Sequence, residues 1–286
     1  MLHRTITTII ASLFFLSGVS AAQATEKITF SSEPIQPSPF KVKQAKAKGI
    51  TLAPKPGIDL KGYLFRPDTP SARPAIITMV SGDGLQKSHM QWGEQLASWG
   101  YVNLLIDTFG SRGGTSRRDT PNANIITDAY NGYRYLTKQE YVDPNQIALL
   151  GFSLGGSSIF SMLNEANVTR PTDIIFKAGV SIYPNCDISI KLKAPLLILI
   201  GDNDPLASHH SCETISSQAQ DWNNDITFHL YTGATHFYDN RNYSKTEGER
   251  DQTASLPFGF KENHYDGSAH QDTLVRVKKF LKEKLD

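Results

Sequence analysis

Gly151-Phe152-Ser153-Leu154-Gly155-Gly156 sets a hydroxyl nucleophile between residues without side chains. The Gly-x-Ser-x-Gly spacing is that of a nucleophile elbow, a strand-to-helix turn so tight that strand and helix approach closely only where a Cβ is missing. The pattern alone is common. Here an apolar run, residues 147–150, leads into it and a helix-compatible run, residues 157–164, leaves it, which is the setting an elbow requires. A serine hydroxyl attacks a carbonyl only when a base accepts its proton, and the base needs a carboxylate to orient it. In a chain built this way they follow in the order Ser, Asp or Glu, His. The apolar run at residues 195–200 ends in Gly201-Asp202-Asn203-Asp204-Pro205, and the run at 226–231 ends in Thr232-Gly233-Ala234-Thr235-His236. Both follow strand carboxyl ends, where catalytic groups collect in open α/β sheets. Asp204 is the preferred acid, with Asp202 as the alternative, and His236 is the preferred base. His229 lies within a strand, and His264 and His270 follow a long insertion. An acyl-transfer site also needs backbone donors for the oxyanion. These are assigned to the N–H of Leu154 and, in the turn Ser81-Gly82-Asp83-Gly84, to Asp83, with Gly82 as its alternative.

The elements that must position these residues read as alternating apolar runs and amphipathic stretches, the pattern of parallel βα units. Strands are expected at 60–66, 75–80, 101–106, 146–150, 178–182, 195–200 and 226–231. Helices are expected at 90–99, 125–136, 157–164, 208–219 and 268–284. Asp143-Pro144-Asn145 reads as a turn. Residues 237–267 are a long polar insertion, of the kind that in compact domains serves function or moves.

The 286 residues carry 29 Lys plus Arg against 28 Asp plus Glu, a net charge of +1. That balance argues against a nucleic-acid partner. The amino terminus reads as an export signal: His3 and Arg4, an apolar stretch over residues 6–19, then Ala22-Gln23-Ala24 as a small-x-small cleavage site. The stretch is too short for a membrane anchor. Residues 1–24 are therefore a signal peptide, 25–54 a polar, proline-interrupted arm along the surface, and 55–286 one catalytic domain. The expected location is periplasmic or secreted, the expected state a monomer or weak homo-oligomer. In an oxidising compartment Cys186 and Cys212, the only cysteines, imply one disulfide, worth roughly 3–4 kcal/mol in the chain-entropy model. Two buried thiols, or a metal site using His209, His210 and Cys212, are the alternatives.

Together these residues resemble the dienelactone hydrolase family of α/β-hydrolases, through the elbow at Ser153, the Gly-x-x-Asp turn at Asp204, the Gly-Ala-Thr-His segment at His236 and Asp107-Thr108-Phe109-Gly110-Ser111-Arg112-Gly113. Tyr183-Pro184-Asn185-Cys186 is similar to a segment of exported members. The resemblance spans about residues 55–285 and implies an α/β-hydrolase fold, a mostly parallel central sheet with helices on both faces. It implies a substrate-carboxylate role for Arg112, against a plain salt-bridged arginine, with Arg117 and Arg118 nearby. Family enzymes acting on dienelactone use a cysteine nucleophile where this chain has Ser153, so lactone opening does not carry over. Many relatives also have His-Gly where this chain has Ser81-Gly82. The resulting expectation is a cofactor-free serine hydrolase acting on small-molecule carboxylic esters. A peptidase or acyltransferase with the same triad, or a non-catalytic binding protein on the same fold, are the alternatives.

Overall fold

The computed structural model describes residues 25–34, 36–37, 39–167, 170–186, 191–221, 223–245 and 263–286. Residues 1–24, expected from the sequence to be a signal peptide, and residues 246–262 of the polar insertion lie outside them. Strands β1 (Thr25–Ser31), β2 (Asp59–Phe65), β3 (Arg73–Met79), β4 (Val102–Asp107), β5 (Val142–Phe152), β6 (Gly179–Ile182), β7 (Leu196–Gly201) and β8 (Ile226–Tyr231) form one sheet in the order β1-β2-β4-β3-β5-β6-β7-β8. The β1-β2 and β2-β4 pairs are antiparallel and all others parallel. The central strands are buried on both faces, which is why β3, β4, β5 and β7 read as continuous apolar runs.

Helices α1 (Pro39–Ala47), α2 (Lys87–Ser98), α3 (Ile125–Leu136), α4 (Leu154–Leu163), α5 (His209–Ser217) and α6 (Gly267–Leu285) complete the regular elements. Side-chain alternation shows that they cover both faces. Leu64 and Leu104 are cross-strand partners on one face, and a Cβ on Gly132 of α3 would fall 3.2 Å from Leu104. Phe65, one residue along and so on the opposite face, lies under Gly93 of α2. Trp92 of α2 in turn meets His270 of α6, ring centroids 6.4 Å apart.

Three features depart from the sequence expectation. The arm is not merely laid on the surface, because Thr25–Ser31 pairs along its whole length with β2 as an edge strand. Only Phe30 of that strand is buried, so its alternation is too shallow to stand out among Glu26, Lys27 and Ser31. The helix α1 is likewise absent from the sequence reading, its face being mostly exposed. In β5 the turn at Asp143-Pro144-Asn145 sits inside the strand as an irregularity: Asn145 N–H donates to Asp143 Oδ1 at 2.9 Å while the pairing jumps from Arg73–Val142 to Ala75–Ile147.

Candidate active site

Ser153 lies between β5 and α4 with φ 49° and ψ −109°, a backbone state costing a non-glycine residue about 1–3 kcal/mol. Its neighbours show why this sequence permits it. A Cβ on Gly151 would come within 2.4 Å of the Gly155 backbone, and one on Gly155 within 2.5 Å of Met79 O. Strand, turn and helix therefore interlock only as long as both stay glycine. The Ser153 carbonyl accepts from Ser157 N–H at 2.7 Å, so the strained residue also starts α4.

His236 follows β8 and brings Nε2 to 2.9 Å from Ser153 Oγ. On its other side Nδ1 meets Asp204 Oδ2 at 2.6 Å. The side chains of His236 and Asp204 are 2% and 0% exposed. A carboxylate on Nδ1 fixes the proton there and leaves Nε2 as the acceptor facing the hydroxyl. Asp204 is itself held, because its Oδ1 accepts from Leu206 N–H at 2.8 Å and Ala207 N–H at 2.9 Å. Asp202, the alternative, points elsewhere and accepts from Gly233 N–H at 2.6 Å. It ties the β7 turn to the β8 turn.

The turn after β3 closes with Gly84 N–H donating to Ser81 O at 3.0 Å. A Cβ on Gly82 would lie 4.0 Å from Leu154 Cβ, so the turn and the first residue of α4 border one space. Among the described residues, the N–H groups of Asp83 and Leu154 donate to no protein acceptor. Burial pushes the Asp83 carboxyl above its ordinary range, and His236 and Arg118 draw it partly back. Beside it opens a cleft of about 490 Å³ lined by Gly82, Asp83, Ser116, Arg117, Arg118 and Pro121. Ser81 contributes a buried hydroxyl with no hydrogen-bond partner among the described residues.

Arg112, the substrate-carboxylate residue that the resemblance implies, is not among the residues lining this cleft and forms the salt bridge that was its alternative. Its guanidinium grips Asp128 of α3 with two hydrogen bonds, 2.7 and 2.9 Å, and donates a third to Thr108 O at 2.7 Å. Asp128 is 1% exposed; burial raises its carboxyl pKa and Arg112 offsets part of that rise. A buried carboxylate demands such a fork, and the fork is filled. Arg117 and Arg118 are the arginines that line the cleft.

Cys186 and Cys212 are joined, Cα atoms 5.1 Å apart. The bridge connects the segment after β6 to α5, the helix following the Asp204 turn. Cys212 is therefore no metal ligand. His209, His210 and Glu213 do bring ligand atoms within 4.8 Å of one another on α5. Of the remaining histidines, His89 is fully buried, and burial pushes its pKa down to about 3. The neutral ring accepts from Gln86 N–H at 3.1 Å and caps α2.

Sequence reasoning gave no role to Tyr183, Phe237 or Asp239, which surround His236. The Tyr183 and His236 ring centroids are 4.6 Å apart, and Asp239 accepts from Tyr183 Oη at 2.9 Å and from Trp92 Nε1 at 2.8 Å. Asp239 lies three residues beyond His236 in a segment read only as polar loop. Its burial depends on partners from β6 and α2 that no local pattern reveals.

Residues 60–285 match the profile of the dienelactone hydrolase family. A probable 2-oxo-3-(5-oxofuran-2-ylidene)propanoate lactonase of Bradyrhizobium sp. is 24% identical over 198 residues, 62% of this chain and 77% of that protein. A dienelactone hydrolase-like promiscuous phosphotriesterase from metagenomic libraries superposes with a TM-score of 0.62 at 14% identity, covering 91% of this chain and 99% of that one. Thermogutta terrifontis esterase 2 does so with a TM-score of 0.58 at 20% identity, covering 79% and 89%. The fold is that of an α/β-hydrolase. With the family profile matched from β2 to the end of α6, the chain belongs to the dienelactone hydrolase family and is a hydrolase.

Proposed function

We propose that the protein is a serine hydrolase that cleaves small-molecule carboxylic esters through an acyl-enzyme. One observation carries the reading: Asp204, His236 and Ser153 form an unbroken hydrogen-bonded chain, 2.6 and 2.9 Å, ending on a hydroxyl held in strained backbone. His236 Nε2 takes the Ser153 proton as Oγ bonds to the ester carbonyl carbon, and Asp204 stabilises the resulting imidazolium. The carbonyl π electrons move onto oxygen, and the resulting oxyanion accepts hydrogen bonds from the N–H groups of Leu154 and Asp83. Collapse expels the alkoxide, which takes the proton from His236. Water, deprotonated by the same imidazole, then attacks the acyl-serine carbonyl, and collapse expels Ser153 Oγ, which takes the proton back from His236 as the acid is released. Every proton in the scheme moves between protein, substrate and water.

The chain is also proposed to act outside the cytoplasm. The leader pattern in residues 1–24 supports this, as does a disulfide of the kind that persists in oxidising compartments. Among the described residues no helix is long and apolar enough to cross a membrane.

A fluorophosphonate probe tests the reading directly, and the solved Thermogutta esterase 2 is a protein phosphorylated by paraoxon. The expected result is a single covalent adduct on Ser153, absent in Ser153→Ala, with turnover of short-chain esters. A folded protein that forms no adduct and turns over no ester overturns it. Intact mass of exported protein beginning at Thr25 checks the leader.

A further inference from the structure

Three strained residues meet at one imidazole. Four non-glycine residues among those described have φ in the left-handed region: Ser153 at 49°, Tyr183 at 41°, Asn223 at 52° and Phe237 at 58°. Asn223 belongs to the turn before β8. The other three touch His236. Ser153 does so through its hydrogen bond, Tyr183 through its ring, and Phe237 as the next residue, its ring centroid 4.4 Å from the imidazole. Backbone of this kind persists only where surrounding contacts over-determine it.

At Tyr183, Asp239 supplies such a contact. It is 1% exposed, and its two carboxylate oxygens accept from Tyr183 Oη and Trp92 Nε1. Among the described residues no Lys or Arg forms an ion pair with it; His270 of α6 feels its charge, but burial holds that imidazole toward its neutral form, and both residues line one cleft with Arg241. Two neutral donors compensate a desolvated carboxylate less fully than an ion pair would, so fold stability alone is a poor account of an acid here. Burial, then Asp239 itself, holds the Tyr183 phenol pKa well above its ordinary value, so the phenol keeps its proton and donates it. The next residue, Asn240, donates from Nδ2 to Gln86 Oε1, the residue that caps α2.

We propose that Asp239 is a positioning residue for His236: by gripping Tyr183 and Trp92 it locks the segment that carries the imidazole to the end of β6 and to α2, with the Tyr183 ring as the wall against which the imidazole rests. The proposal deepens the serine-hydrolase reading and rests on it. Proton transfer needs Oγ and Nε2 at hydrogen-bond distance, and only two residues separate His236 from Asp239. Releasing the carboxylate frees both the far end of that segment and the wall. The Asp83–Arg117 cleft is lined by other residues, so the loss falls on kcat rather than KM.

The experiment compares Tyr183→Phe, Asp239→Asn and Asp239→Ala with the parent protein. It reads kcat and KM on a short neutral ester, the rate of fluorophosphonate adduct formation, melting temperature, and the downfield proton resonance of His236 Nδ1–H against Asp204. Tyr183→Phe and Asp239→Ala are expected to lower kcat and adduct rate by about 10- to 100-fold, the scale of a misplacement near 1 Å. KM should stay within about threefold, and the resonance should broaden or shift. Asp239→Asn keeps one acceptor oxygen and is expected to recover part of the loss. Melting temperatures that fall while kcat, adduct rate and resonance stay at parent values overturn the proposal. If Asp239→Ala does not fold, the two near-isosteric variants decide the matter on the same readouts. Failure of the parent to react with the probe would sink the hydrolase reading instead, while the His236 resonance still reports on the lock.

Discussion

Two regions of the molecule each take a carboxylate out of water, and they satisfy it in opposite ways. Asp128, in the first turn of α3, faces the planar guanidinium of Arg112 across two hydrogen bonds. Asp204, in the turn after β7, faces the imidazole of His236 across one, with two backbone N–H groups on its other oxygen. The guanidinium is charged at every accessible pH and has no proton to give, so the first pair can only hold structure in place. An imidazole has one nitrogen that donates and one that accepts, and the second nitrogen of His236 points at a hydroxyl. The first pair is an anchor, and the second, on the proposed function, a relay. The residue facing the acid, more than its burial, separates the two.

The relay gives the largest expected effects. Ser153→Ala and His236→Ala each remove a member of a unit, so turnover of any ester should fall by about 10⁶-fold, with the double variant little worse than either single. Melting temperature should hardly change. Turnover near the parent level in either variant would remove the triad assignment. Asp204→Asn ranks next, because an amide can oppose the Nδ1 proton and favour the wrong tautomer. A loss of about 10⁴ in kcat is expected, read in the same steady-state assay.

The anchor should respond in stability instead. Arg112→Ala leaves Asp128 buried without its cation, and breaking such a pair costs about 3 kcal/mol. Kinetics on carboxylate-bearing and neutral esters should shift equally, since the fork is taken up by Asp128 and Thr108 O. The pH dependence fixes the sign. Burial already raises the folded-state pKa of Asp128 above the ordinary value of an aspartate, and losing Arg112 removes the opposing influence, so the pKa rises further. A carboxyl raised on folding contributes stability below its unfolded pKa and loses it as pH rises through the folded pKa. The deficit of Arg112→Ala relative to the parent should therefore be largest near neutral pH and shrink as pH falls toward the ordinary carboxylate range. Urea melts across that interval check it, and a pH-independent deficit would mean that Asp128 is not the group left exposed to the loss.

The same contrast marks what was legible in the chain. Residues of the proposed relay fall at the ends of parallel strands, and buried parallel strands announce themselves as unbroken apolar runs, so Ser153, Asp204 and His236 were each placed from local pattern. The fold class followed from the same alternation of runs. The pairing of Arg112 with Asp128 is not legible locally, because the partner lies sixteen residues on, in another element. A signal did exist: Asp128 sits among Ile125, Ala129, Gly132 and Leu136 on the buried face of α3, where an acid needs a cation. The edge strand β1 was missed because a half-buried edge needs few apolar residues. Tyr183 and Asp239 were missed because their partners converge from β6, α2 and the loop after β8, and only tertiary structure brings those together.

The smallest effect tests the choice between two acids two residues apart. Asp202 is partly exposed and accepts a single hydrogen bond, from Gly233 N–H at 2.6 Å, so its task is to join the turns that carry Asp204 and His236. Asp202→Asn keeps a carbonyl oxygen able to accept that bond. Stability should fall by no more than about 1 kcal/mol, the net worth of one such contact, and kcat should remain within about twofold of the parent. Measured beside Asp204→Asn in one assay, the pair should differ by more than a thousandfold. If Asp202→Asn were instead the inactive variant, the imidazole would be oriented by the other carboxylate, and the turn after β7 would have to rearrange in the working enzyme to bring Asp202 against Nδ1.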